Sequence, residues 1–352
     1  MHSDDLALGP SPVRLSINEA LDRAFDIAVH APLPPNPNPP VGCVILDRNG
    51  VLVGAGAHKG AGTAHAEIAA LQAAGSAARG GTAVVTLEPC NHIGRTGSCA
   101  QALIAAGIER VCFAVADPAM HADSRAGREE LLAAGVQVSG DLDRERGRAL
   151  LGTWLHAIEH SRPFVTWKVA SSADGFIAPR DRSRVQLTGE NAMSAVHRMR
   201  SQVGAIVTGS GTVAADDPRL TARDATGRPT IHQPFRVVIG MSDVPGQAQI
   251  RGNDDRFIHL RTRNIPEALA DLAQRGIHHV MLEAGPGLAN AFLAAGCIDE
   301  IVWFTAPAVL GDGIEAASDF PSPTVGIAHG WRSAGVDVLG DDVRHTLLPA
   351  DV

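Results

Sequence analysis

The sequence predicts two α/β domains in tandem. Three observations carry this: the length, the apolar content, and an alternation of strand-like with helix-like segments through most of the chain. At roughly 150 residues per domain, 352 residues make about two. Hydrophobic residues are 45% of the total, ample for two buried cores.

From Ser16 to His30 apolar residues recur at helical spacing, and the stretch APLPPNPNPP then separates this helix from the strand-like VGCVILD. After the Asn49-Gly50 turn pair come VLVGAGAHKG, the helical AHAEIAALQAAG, the strand TAVVTLEP, the loop CNHIGRTGSC, the helix AQALIAAG and the strand RVCFAVAD. GREELLAAGVQVSG adds a further helix and strand. The helix-like RERGRALLGTWLHAIEHSR leads to the strand PFVTWKVAS, so the boundary falls between 145 and 162, with domains 1–150 and 151–352. Beyond it AIVTG, FRVVIG, RFIHL, HHVMLEAG and EIVWFTAP alternate with GENAMSAVHRMRS, IPEALADLAQRG and GLANAFLAAG, a second α/β pattern.

Composition excludes several function classes. With 30 basic against 38 acidic residues the net charge is −8, and without long basic runs nucleic acid is a poor partner. No apolar run approaches the ~20 residues that span a bilayer, and the N-terminus MHSDDLALGPSP lacks a signal-peptide core, so the cytoplasm is expected and a membrane is not. Tyrosine is absent, which removes it as a general acid. Five cysteines are too few and too scattered for a disulfide framework. Cys43, Cys112 and Cys297 sit in apolar settings that read as core packing, whereas Cys90 and Cys99 fall among turn residues.

Those two cysteines belong to the first constellation. His65-Ala66-Glu67 opens a helix, the strand VVTLEP delivers Pro89-Cys90, and Cys99 follows after eight intervening residues. One imidazole and two thiolates are three zinc ligands with a fourth position left for water, the pattern of a catalytic site. Glu67, two residues past the histidine, is placed to shuttle a proton rather than to bind metal. His-x-Glu followed by Pro-Cys and a second cysteine is the zinc-deaminase signature, with a longer cysteine spacing here.

Asn38-Pro39-Pro40-Val41-Gly42, His58, His65-Ala66-Glu67 and Leu87-Glu88-Pro89-Cys90-Asn91-His92-Ile93-Gly94-Arg95-Thr96-Gly97-Ser98-Cys99 resemble the deaminase half of the bifunctional riboflavin-biosynthesis deaminase/reductase family. The resemblance implies a cytidine-deaminase-like three-layer α/β/α fold. It also implies that Asn38, His58, His92 and Arg95 bind the substrate. An amide reads a ring edge with donor and acceptor together, and an arginine meets a phosphate or ring oxygen with charge assistance. The chain departs from the family at Gly97-Ser98, where Pro-Pro is usual, and in ADPAMHADSRAG, where Ala119 replaces Asn.

From Pro163 onward VTWKVASSADGFIA, LTGENAMSAVHRMRS, AIVTGSGTVAADDPRLTAR, FRVVIG and VMLEAGPGLANAFLAAGCIDEIVWFTAPAVLG are similar to the same family's reductase half, with its dihydrofolate-reductase-like α/β fold. The resemblance implies NADPH contacts at Ala170, Thr212, Asp216 and Gly285-Pro286-Gly287-Leu288-Ala289, and substrate contacts at Arg200, Leu220, Arg223 and Glu283. Physically, the turn Glu283 to Ala289 follows a strand and opens a helix, whose free amides suit a phosphate. Lys168 and Asp174 lie in a matching block, with a turn role open for Asp174. Gln186 stands where the family has Trp.

The implied function has two steps: zinc-dependent hydrolytic deamination of a diaminohydroxypyrimidine bearing a ribosylamino phosphate, then NADPH-dependent reduction of ribosyl to ribityl. A phosphorylated pyrimidine is the expected small-molecule partner, and a homodimer or homotetramer the expected assembly. The alternatives are that one domain alone is active, or that the chain is a non-catalytic zinc-stabilised binding protein.

Overall fold

The computed structural model describes residues 13–31, 37–60, 62–91, 98–118, 127–181, 183, 185–317 and 330–350. The chain divides into two compact units between Leu155 and His156.

In the first unit, α1 (Ile17–His30) is started by a capping box in which Ser16 and Glu19 satisfy each other's backbone N–H groups. Then come β1 (Gly42–Leu46), β2 (Leu52–Ala57), α2 (Ala66–Ala74), β3 (Thr82–Leu87), α3 (Cys99–Ala105), β4 (Arg110–Val115), α4 (Gly127–Ala133) and β5 (Gln137–Ser139). The sheet order is β2-β1-β3-β4-β5, antiparallel about β1 and parallel from β3 to β5. Alternate residues of β1 serve opposite cores: Cys43 and Ile45 face the cluster holding Ala66, Ala70 and Leu103, while Val44 and Leu46 face Leu21 and Phe25 of α1. This is three-layer α/β/α packing.

Glycine and alanine set how close α2 lies to the sheet. A Cβ on Gly56 would stand 2.5 Å from the Ala70 nitrogen and 2.6 Å from the Ala66 carbonyl oxygen, and one on Gly54 would stand 2.3 Å from the Ala70 oxygen. The composition, 37 glycines and 4% aromatics, thus has a structural use at the helix that carries Glu67.

A long helix, α5 (Arg144–His160), crosses the division, broken at Gly152 (φ 33°, ψ −106°). The second unit continues with β6 (Phe164–Ser171), β7 (Phe176–Pro179), α6 (Glu190–Ser201), β8 (Ala205–Gly209), α7 (Ser210–Asp216), β9 (Phe235–Ile239) and β10 (Phe257–Leu260). After these come α8 (Ile265–Gln274), β11 (His279–Leu282), α9 (Pro286–Ala294), β12 (Glu300–Thr305), β13 (Gly313–Glu315), β14 (Trp331–Leu339) and β15 (Asp342–Pro349).

Its main sheet has the order β10-β9-β8-β11-β6-β12-β15-β14, parallel from β10 to β12 and antiparallel beyond. Helices α8 and α9 bury Leu269, Leu272 and Phe292 on one face. Val213 of α7 and Ala195 and Val196 of α6 pack on the other. From β8 the chain runs outward to β9 and β10, then returns to place β11 beside β8. Such a switch opens a crevice outside the carboxyl ends of β8 and β11, where α/β sheets bind ligands.

The C-terminal hairpin β14–β15 answers to no predicted strand. Cys43, Cys112 and Cys297 are all buried among apolar residues, as their settings suggested.

Candidate functional site

Two helix starts and one strand end build the first site. His65 is the N-cap of α2, Cys99 is the first residue of α3, and Cys90 lies just past β3. Ser98 fixes the last two relative to each other: its hydroxyl accepts from the Gln101 N–H at 3.2 Å and donates to the Cys90 carbonyl at 3.3 Å.

His65 Nδ1 lies 3.2 Å from Cys99 Sγ and 3.6 Å from Cys90 Sγ, and the three atoms fall within 4.8 Å of one another. Tetrahedral zinc with bonds of about 2.1 Å to nitrogen and 2.3 Å to sulfur separates its ligands by about 3.6 Å. The donor set therefore fits that ion in both chemistry and spacing. The hydrogen bond from Cys99 and the neighbouring His65 hold the Cys90 thiol far below its usual range, already disposed to bind metal as thiolate.

Glu67 is buried beside this cluster. Burial raises its carboxyl to about 7, with the Cys90 charge acting in the same direction. A carboxyl poised there can both take and give a proton at neutral pH. His58 donates from Nδ1 to the Ala64 carbonyl at 3.1 Å, which leaves Nε2 to accept from Asn38 Nδ2 at 2.7 Å. Burial lowers the pKa of the His58 imidazole. The amide oxygen of Asn38 is not the atom used in that bond. His58 also meets the His65 ring edge-on at 5.3 Å. Asn38, His58, His65, Glu67, Cys90 and Cys99 are thus drawn into one neighbourhood, while His92 and Arg95 lie outside the described residues.

Glu88 carries a role the sequence reading did not assign. Its carboxylate accepts from the Arg128 N–H at 3.0 Å and the Asp117 N–H at 3.4 Å, so the strand leading to Cys90 also holds the backbone at both positions. The Leu87-Glu88-Pro89-Cys90 motif was the available signal.

The second site lies along the carboxyl ends of the parallel strands. Arg200 of α6 grips Glu283, just past β11, through two bonds of 2.7 and 2.8 Å, and its third nitrogen reaches the Thr221 carbonyl at 3.3 Å. Burial opposes the Glu283 charge, but Arg200 overcomes it and, with Lys168, lowers the carboxyl to about 2. Lys168 of β6 and His197, one turn before Arg200, lie beside this pair; burial lowers the pKa of both, and Arg200 and Arg223 lower that of His197 further. His197 was not singled out in the sequence, although its spacing from Arg200 puts both on one helical face. Leu220 is buried in the apolar cluster of Val203, Ile206, Val213 and Met281, with φ 47°, a strained conformation for leucine.

At the residues expected to contact cofactor, the Gly285 N–H approaches Thr212 Oγ1 at 3.4 Å, joining the starts of α9 and α7. Neither helix has a side-chain cap. Asp216 is exposed one turn beyond Thr212. A Cβ on Gly287 would meet open space. Leu288 and Ala289 instead pack into the core beneath, Ala289 completely, and Ala170 packs beside Val302 and Phe304. Asp174 serves a turn: it accepts from Ser172 Oγ and from the Leu310 and Gly311 N–H groups. Gln186 bonds the Thr188 carbonyl.

Known proteins match both halves. Residues 16–115 match the cytidine and deoxycytidylate deaminase zinc-binding region, and residues 163–343 the RibD C-terminal domain. The riboflavin biosynthesis protein RibD of Mycobacterium tuberculosis is 43% identical over 334 residues, 95% of this chain and 97% of the relative. That of Escherichia coli is 35% identical over 340 residues, 85% and 92% of the two chains. Among solved structures, Acinetobacter baumannii RibD superposes with a TM-score of 0.87 at 32% identity, covering 95% of this chain and 99% of that one. A Thermotoga maritima diaminohydroxyphosphoribosylaminopyrimidine deaminase/5-amino-6-(5-phosphoribosylamino)uracil reductase gives 0.82 at 28% identity, with the same coverage. With both domains matched in order over nearly its whole length, the chain belongs to the RibD family of riboflavin-biosynthesis enzymes, which join a zinc-binding deaminase to an NADPH-dependent reductase.

Proposed function

We propose that the first unit hydrolyses the 2-amino group of 2,5-diamino-6-(5-phosphoribosylamino)pyrimidin-4(3H)-one. The second unit then reduces the ribosyl chain of the resulting 5-amino-6-(5-phosphoribosylamino)uracil to ribityl. The observation that carries the reading is the convergence of His65, Cys90 and Cys99 beside the buried Glu67.

When bound, zinc lowers the pKa of a water molecule toward ~7. Glu67 takes the proton from the attacking water and delivers it to the substrate, so that ammonia leaves as a neutral molecule. Asn38, oriented by His58, presents its amide oxygen to the pyrimidine edge. His92 and Arg95 supply further substrate contacts. A purely structural zinc site has no use for a buried carboxylate in this position, which disfavours the non-catalytic reading.

In the reductase unit NADPH supplies the hydride, and the protein's work is to hold two carbons close and support the charge that develops. Thr212, Asp216 and the Gly285 turn hold the cofactor. Glu283, fixed by Arg200, faces the reacting sugar, with Arg223 at the phosphate and Leu220 beneath. Lys168 is the remaining cation of this group. The assembly is a homodimer or homotetramer working in the cytoplasm; among the described residues no helix is long and apolar enough to cross a membrane.

Two half-reactions on one preparation test the reading. Ammonia release without NADPH reports the first unit, and NADPH oxidation with the deaminated intermediate reports the second. Loss of either in a metal-replete preparation would leave one domain alone active.

A further inference from the structure

We propose that Arg261, at the carboxyl end of β10, recognises the 2′-phosphate of NADPH and so selects it over NADH. The inference rests on the placement of the cofactor in the crevice outside β8 and β11.

Within that crevice the direction of the dinucleotide is set by its two ends. The substrate group of Lys168, Arg200 and Glu283 lies toward β6 and β11, so the nicotinamide must lie there. The start of α9, tied to Thr212 through the Gly285 N–H, suits the pyrophosphate. The adenosine then runs the other way, across the ends of β8, β9 and β10, two strand spacings or about 10 Å.

Three residues meet at that end. Ser210 opens α7, Gly240 follows β9, and Arg261 follows β10. The Gly240 N–H donates to the Leu260 carbonyl at 3.1 Å, which brings the backbone of β9's end alongside Arg261. Gly240 has φ 149°, and a Cβ there would stand 2.8 Å from Ser210 Oγ. The backbone conformation disfavours a side chain there, and one would also displace the Ser210 hydroxyl. In Rossmann sheets an acidic residue about 20 residues past the glycine turn binds the ribose 2′-hydroxyl of NAD, and a nearby arginine instead accommodates the 2′-phosphate of NADP, a logic that carries over to this crevice by analogy. This chain puts no side chain at Gly240 and a guanidinium beside it.

Arg261 leans over the same loop. It donates to the Met241 carbonyl at 3.4 Å and pairs with Asp243, both partners being exposed. That pair holds the arginine over the β9 end without burying it, so a phosphate can take over the guanidinium's fork at little cost in desolvation. Asp243 is then a competitor for the site.

The test uses the full chain and two ligands, adenosine 2′,5′-bisphosphate and 5′-AMP, titrated by calorimetry. The wild type should bind the bisphosphate more tightly. Arg261→Ala should weaken the bisphosphate about tenfold or more while leaving AMP affinity and melting temperature unchanged. Asp243→Asn should tighten the bisphosphate. Equal effects of Arg261→Ala on both ligands, or none, would overturn the assignment, as would an Asp243→Asn variant that loses AMP, since the acid would then be serving the ribose hydroxyl. If the wild type binds neither ligand while still oxidising NADPH, the placement of the adenosine itself is wrong and the inference falls with it.

Discussion

Arg200 spends its guanidinium on Glu283. Two parallel bonds join residues 83 positions apart, with both side chains almost out of solvent, at 14% and 12% exposure. The remaining nitrogen is taken by a backbone carbonyl. The arginine expected to meet substrate is thus first a holder of the carboxylate.

The two arginines of this site should therefore behave differently. Arg223→Ala, which removes the cation without breaking that pair, should raise KM for the phosphorylated uracil about tenfold with a smaller change in kcat. Arg200→Ala should lower kcat and also the melting temperature, because it strands a buried carboxylate at a cost of about 3–5 kcal/mol. Steady-state kinetics on the isolated intermediate, with thermal melts of both variants, check this.

Much of the candidate metal cluster was legible in the sequence because its chemistry is written in residue types at short spacing: His65 with Glu67, then Cys90 with Cys99. The candidate site of the second unit was less so. Arg200 and Glu283 could be named, but their direct pairing depends on β11 being inserted beside β8, a sheet order that no local pattern encodes. The hairpin β14–β15 escaped for a different reason. Arg332, Ser333 and Ala334 are exposed in succession, and so are Val336, Asp337 and Val338, so this edge strand lacks the period-two burial by which strands are recognised. The break at Gly152 was equally hidden, since glycine is tolerated within helical patterns.

Acid should loosen the reductase unit through His279. Thr166 Oγ1 donates to Glu300 at 2.8 Å and so accepts from His279 Nε2 at 2.9 Å. Burial lowers the His279 pKa from 6.5 to about 4. Between those values the unfolded chain binds the proton and the folded one does not, so stability is full above pH 6.5 and falls as pH drops toward 4, by about 1.4 kcal/mol per pH unit. Melting temperatures across that window should decline less in His279→Gln than in the wild type. Parallel curves would remove His279 as the cause.

Glu67→Gln separates proton transfer from metal binding. The amide keeps the shape of the side chain but cannot carry the proton, so ammonia release should fall about 10²–10⁴-fold. Zinc content should stay near one per chain, because His65, Cys90 and Cys99 make up the donor set. NADPH oxidation with supplied intermediate should continue. Chelation of the metal should stop the first reaction and spare the second. Undiminished ammonia release by Glu67→Gln, measured by a coupled ammonia assay, would dismiss the carboxylate as the proton carrier.

Gly56→Ala probes the same site from beneath, without touching a reacting group. The new methyl would press on the Ala70 nitrogen and Ala66 oxygen, both backbone atoms of α2, so no side-chain rotation can relieve it. The helix must move away from β2, and its first turn holds Glu67, with His65 as the cap. Overpacking of this kind costs about 1–3 kcal/mol. More telling than the stability loss is where the displacement acts: the imidazole shifts relative to two thiolates that are anchored elsewhere, by β3 and α3. Zinc affinity and ammonia release should therefore fall together, while NADPH oxidation holds. A variant that melts earlier yet binds zinc with unchanged affinity would show that the helix start yields independently of the packed segment behind it.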